Sequence, residues 1–239
     1  MGNESRDSDA CAGGGLDAAV PKSARANTNW SATMDDATVE FIHYFEAGDG
    51  VTLLLLHGTG GTEHDLVGIG KVIAPGASIL SPRGRVLENG MPRYFRRLQE
   101  GVFDIEDLHK RTEELADWIS AITAEKEIDD RPIVALGFSN GANIAGSLLL
   151  SYPGLLAGAM LLRPMVPFVP DELPSLNGTR VLVGAGTHDQ LIEPEETNRL
   201  VTLLQTCGAS VDLYWQPGGH GLGQGDLDQI GAWFSQQAW

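Results

Sequence analysis

From residue 39 onward, short apolar runs alternate with amphipathic stretches, and the two periods are easily told apart. Val39 to Phe45 and Val51 to Leu56 read as strands on either side of the turn signal Gly48-Asp49-Gly50. Ala77 to Leu80 is a further short strand. Ile105, Leu108, Leu115, Ile119 and Ile122 recur at spacings of three, four and seven, which places them on one face of a helix. That helix breaks at Asp129-Asp130-Arg131, and Pro132 to Leu136 forms the next apolar run. Asn140 to Leu150, small and apolar, suits a buried helix, and Leu156 to Leu162 and Arg180 to Val183 suit buried strands. Glu195 to Cys207 predicts a helix closed by Gly208. Val211, Leu213 and Trp215 alternate with polar neighbours as a strand, and Leu227 to Phe234 is a last amphipathic helix.

Strands alternating with helices imply an α/β fold: a mainly parallel central sheet with helices on both faces. Chemistry in such sheets collects at the carboxyl ends of the strands. Residues 1–35, rich in Gly, Ala, Ser, Asp and Asn without apolar periodicity, read as a tail or arm, and 36–239 as the one folded domain.

Composition narrows the function classes. The 239 residues carry 32 acidic against 16 basic side chains, a formal net charge of −16. Such a surface repels phosphate backbones and anionic bilayers, so neither nucleic acid nor an integral membrane association is expected. The N-terminus lacks the apolar core of a secretory signal, and no apolar run approaches the ~18 residues of a membrane helix. A cytoplasmic protein is expected. Cys11 and Cys207 are read as unpaired thiols, and no His, Cys and carboxylate cluster has metal-ligand spacing. The arm is a candidate element for a homodimer.

Gly137-Phe138-Ser139-Asn140-Gly141 fits G-x-S-x-G, a weak pattern alone in a chain with 30 glycines. Its setting strengthens it, because it follows an apolar run and opens a helix, the strand–turn–helix context the motif requires. A nucleophile on so tight a turn leaves no space for side chains at Gly137 and Gly141. A serine hydroxyl also needs a base and an acid to orient that base. Asp189, in Gly186-Thr187-His188-Asp189, and His220, in Gly218-Gly219-His220-Gly221, each follow a separate strand, in the chain order Ser, Asp, His that α/β-hydrolases use. Ser139, Asp189 and His220 are therefore the expected catalytic residues. His188 is an alternative base, and Glu193 or Glu195 an alternative acid; His43, His64 and His109 are read as solvated or packing residues. His57-Gly58-Thr59-Gly60-Gly61 follows the strand Val51 to Leu56, so the oxyanion donors are assigned to Thr59 and Asn140, with the His57 ring holding the loop.

The segments LLLLHGTGG, GFSNG, GTHD and GGHG, in this order and spacing, resemble the phospholipase/carboxylesterase family of α/β-hydrolases, which includes small bacterial carboxylesterases and acyl-protein thioesterases. Ser81 to Asp104 is closer to a bacterial branch linked to hydroquinone resistance. The likeness covers Val39 to the C-terminus and departs from the family where Pro194 stands later after Asp189 than is usual. It implies an α/β-hydrolase fold with no large cap domain, the same triad and oxyanion donors, no cofactor, and a small-molecule ester as substrate. Tyr94, Phe95, Phe103, Met165 and Phe168 are candidates to line the substrate pocket. The expected activity is a serine carboxylesterase acting on small or short-to-medium acyl esters. An acyl-thioesterase or lysophospholipase with the same triad, and a non-catalytic binding module of this fold, are the alternatives.

Overall fold

The computed structural model describes residues 39–239, and the candidate N-terminal arm lies outside them. Seven strands form one sheet: β1 (His43–Glu46), β2 (Thr52–Leu56), β3 (Ser78–Pro82), β8 (Ile133–Phe138), β9 (Gly158–Leu162), β10 (Arg180–Gly186) and β11 (Ser210–Gln216). Their spatial order is β1-β3-β2-β8-β9-β10-β11, and only the pairing of β1 with β3 is antiparallel. Two small hairpins, β4 (Val86–Glu88) with β5 (Met91–Arg93) and β6 (Arg97–Gln99) with β7 (Val102–Phe103), stand outside that sheet. The helices are α1 (Val67–Ile73), α2 (Ile105–Glu125), α3 (Asn140–Ser151), α4 (Pro194–Thr206) and α5 (Gln224–Ser235).

The central strands are unbroken apolar runs because both of their faces are covered. Along β2, Leu54 and Leu56 enter a core layer with Leu108, Leu115 and Ile119 of α2, Ile144 and Leu148 of α3, and Leu200 of α4. Leu53 and Leu55 alternate into the opposite layer, with Ile73 of α1 and Ile230, Trp233 and Phe234 of α5. The Asp104 carboxylate caps α2 by accepting from the Asp107 amide, and Pro194 sits in the first turn of α4, where its missing N–H costs nothing. Gly208 follows α4 at φ +95°, the left-handed conformation expected there.

Three features depart from the sequence reading. The Gly48-Asp49-Gly50 turn does not close a hairpin, because β3 lies between β1 and β2 and pairs with both. The segment between β3 and α2 carries the two hairpins, and α1 arises from a stretch with no clear helical period. Among the described residues no helix is long and apolar enough to cross a membrane.

Candidate active site

Four strand ends and their loops converge at one edge of the sheet. Ser139 stands between β8 and α3 at φ 52°, ψ −114°, a conformation L-residues adopt only when the surroundings enforce it. The enforcement is visible. The Ser139 amide donates to the Leu162 carbonyl at the end of β9 (2.8 Å), and its own carbonyl accepts from Asn143 in the first turn of α3 (2.9 Å). A Cβ on Gly137 would lie 2.5 Å from the Gly141 carbonyl oxygen, and one on Gly141 would overlap the Leu56 carbonyl. Both glycines are thus required for the helix to pack this close to β2 and β8.

The hydroxyl of Ser139 meets His220 Nε2 at 2.9 Å, and His220 Nδ1 meets Asp189 Oδ2 at 2.8 Å. A carboxylate only accepts, so Nδ1 carries the proton and Nε2 accepts from the serine. The other Asp189 oxygen accepts from the Leu191 amide at 2.9 Å, and the carboxylate is almost fully buried. None of the rival residues reaches this chain of bonds. The ring of His188 turns outward to the Thr187 hydroxyl, and Glu193 and Glu195 are exposed at the start of α4. His43 packs against Trp118, His64 is 67% exposed beside Glu63, and His109 lies edge-on to Phe168.

Thr59 and Asn140 flank Ser139 in the cleft. The Asn140 Oδ1 accepts from the Tyr94 amide (2.7 Å), tying the turn to the facing wall. His57 holds its loop through both ring nitrogens. Gly84 N–H donates to Nε2 at 2.9 Å, so Nδ1 carries the proton and donates to the Gly58 carbonyl at 2.6 Å. Burial lowers the His57 pKa below the usual histidine value and keeps the ring neutral.

The cleft is open to solvent and has a volume of about 60 Å³. Phe103 and Met165 line it, whereas Tyr94 and Phe95 are buried in the core and Phe168 packs at the edge of that core. Tyr94 still serves the site indirectly: its hydroxyl donates to the Pro82 carbonyl and accepts from the His57 amide. Leu191 and Ile192, close to Asp189 in the chain, also line it, as do Arg93, Arg97 and Glu100.

One supporting residue is wholly buried. Arg163, at φ 55° just past β9, makes two 2.9 Å bonds to the Asp226 carboxylate. It also donates to the carbonyls of Gly219 (3.2 Å) and Gly221 (3.3 Å), the neighbours of His220 on either side. Asp226, at the start of α5, accepts in addition from Tyr214 Oη and the Gly223 amide. The histidine loop is thereby fixed from beneath.

Residues 40–233 match the phospholipase/carboxylesterase family. The chain belongs to that family. It is 50% identical over 196 residues to the Bacillus subtilis (strain 168) protein named "Putative hydrolase MhqD", covering 81% of this chain and 98% of that one. Among solved structures it resembles the Bacillus cereus carboxylesterase, with 45% identity, a TM-score of 0.80, and coverage of 82% of this chain and 94% of the other. It also resembles a carboxylesterase from Mesorhizobium loti, with 33% identity, a TM-score of 0.75, and coverage of 80% and 91%. The fold is accordingly the α/β-hydrolase fold, and this family member is a hydrolase of the esterase class. Between β9 and β10, where larger lipases insert a lid, residues 163–179 form no helix or strand.

Proposed function

We propose that the protein is a serine carboxylesterase that cleaves small or short-to-medium acyl esters through an acyl-enzyme, with Ser139 as nucleophile, His220 as base and Asp189 as its orienting acid. The observation that carries this reading is the pair of bonds at 2.9 and 2.8 Å that joins the three side chains on a positive-φ turn. Ser139 Oγ attacks the ester carbonyl while His220 Nε2 takes its proton. Asp189 keeps Nδ1 protonated and steadies the imidazolium. The backbone amides of Thr59 and Asn140 receive the oxyanion, each worth roughly 3 kcal/mol of transition-state stabilisation. His220 then returns the proton to the departing alcohol and activates the water that frees the acid. A small cleft of about 60 Å³, open to solvent, favours small esters over long lipid chains. The relatives named as carboxylesterases support the ester as substrate class.

The test is hydrolysis of p-nitrophenyl esters from acetate to palmitate by the wild-type protein and Ser139→Ala, with fluorophosphonate labelling in parallel. Turnover greatest at short chains, and lost with the label in Ser139→Ala, is the expected result. A wild-type protein that labels but turns over none of the esters would move the reading to thioesters. Failure to label would leave a non-catalytic binding domain.

A further inference from the structure

The hairpins bring two arginines to the lining of the cleft. Arg93 at the end of β5 and Arg97 at the start of β6 both line the cleft, and both pair with the single carboxylate of Glu88, at 3.2 and 2.8 Å. The two guanidinium groups thus share one carboxylate as their ion-pair partner. Arg93 is the buried partner: its side chain is 4% exposed, and it also donates to the Thr59 hydroxyl (2.8 Å) and the Phe95 carbonyl (3.2 Å). Its burial, and next the charge of Arg97, pull its pKa below the usual arginine value. Its neighbour is differently placed. Arg97 lines the cleft, is 29% exposed and bonds Glu88 through Nε, and its two terminal nitrogens have no hydrogen-bond partner among the described residues. This cation stands in a chain whose formal net charge is −16.

Resting on the esterase reading above, we infer that this cleft selects esters that carry one carboxylate, received by the outer edge of Arg97 with Arg93 behind it. The planar fork of a guanidinium matches a carboxylate through two parallel N–H bonds. The acid that opposes this is Glu100, which lines the same cleft but is exposed, so water screens it. Of the other groups around Ser139, Arg163 is matched by Asp226, while the Asp189 carboxylate faces a neutral His220 and is almost fully buried beneath it.

The experiment compares mono-4-nitrophenyl glutarate with the neutral 4-nitrophenyl valerate, and 4-carboxyphenyl valerate with phenyl valerate, so that the charge is placed on the acyl and on the alcohol side in turn. In at least one pair, kcat/KM for the anionic ester is expected to exceed that for the neutral one by roughly tenfold or more, the usual weight of a charge-assisted bond. Arg97→Gln should collapse that ratio toward one, and Glu100→Gln should raise it. Equal turnover of anionic and neutral esters in both pairs, or a ratio unmoved by Arg97→Gln, overturns the inference and leaves the esterase reading intact. No turnover of any ester overturns both.

Discussion

Arg163 and Asp226, 63 positions apart in the chain, face each other through two 2.9 Å bonds with side-chain exposures of 1% and 0%. The pair joins the end of β9 to the start of α5 directly under the loop that carries His220. A buried ion pair contributes little net stability when intact but is costly to break, because the survivor is left charged and unsolvated.

Asp226→Asn should therefore lose about 3–5 kcal/mol of folding stability, read by urea denaturation. Replacing both partners, as Arg163→Met with Asp226→Leu, should recover much of that loss. It should not recover kcat, because the carbonyls of Gly219 and Gly221 remain without their donor. A double variant with full activity would show that the pair has no part in holding the histidine loop.

Asp189→Asn should fold normally and lower kcat by about 10⁴-fold, since an amide no longer enforces the tautomer in which His220 Nε2 accepts from Ser139. Single-turnover kinetics with p-nitrophenyl acetate would measure it. A loss of less than tenfold would point to another acid.

Gly141→Ala should destabilise the protein by about 3 kcal/mol or more, because the added methyl meets the backbone of Leu56 and His57 rather than a side chain that can turn away. Thermal melting against Gly218→Ala, where a Cβ meets open space, is the control.

His57 makes stability depend on pH in a definite direction. Its pKa is lowered in the folded state by burial, so the unfolded chain binds the proton more readily. The contribution is fully present above the ordinary histidine value of 6.5 and is lost as pH falls below it toward the folded value. Denaturation midpoints measured at pH 7.5 and 5.5 should fall for the wild type and fall less for His57→Gln. Equal slopes would assign the pH dependence to other groups.

Much of this arrangement was legible in the sequence for a physical reason. The strands are continuous apolar runs, and the turn that carries Ser139 is flanked by Gly137 and Gly141, which close backbone approach requires. Ser139, Asp189 and His220 each stand just after such a strand, so order and spacing placed them. The supports were not legible in the same way. Arg163 in Leu162-Arg163-Pro164 had one visible signal, a charge ending an apolar strand, but its partner lies a further 63 residues along and nothing local points to it. Tyr94 and Phe95 read as pocket aromatics because composition does not tell a wall's lining from its backing. The structure turns them inward, where Phe95 meets Phe103 edge to face at 5.0 Å. The hairpins themselves have strands of two or three residues, too short for a period to register.

The origin of those hairpins matters for how such a protein changes over generations. Ser139, Asp189 and His220 hang from the sheet, whose strands are locked by two layers of core. Arg97, Gly101 and Phe103 hang from a two-stranded flap that pairs only with itself. Substitutions or insertions in that flap can redraw what enters the cleft without disturbing the three bonded side chains. A lineage with this architecture can exchange one diet of esters for another by rewriting that flap, and keep the sheet and its three bonded side chains throughout.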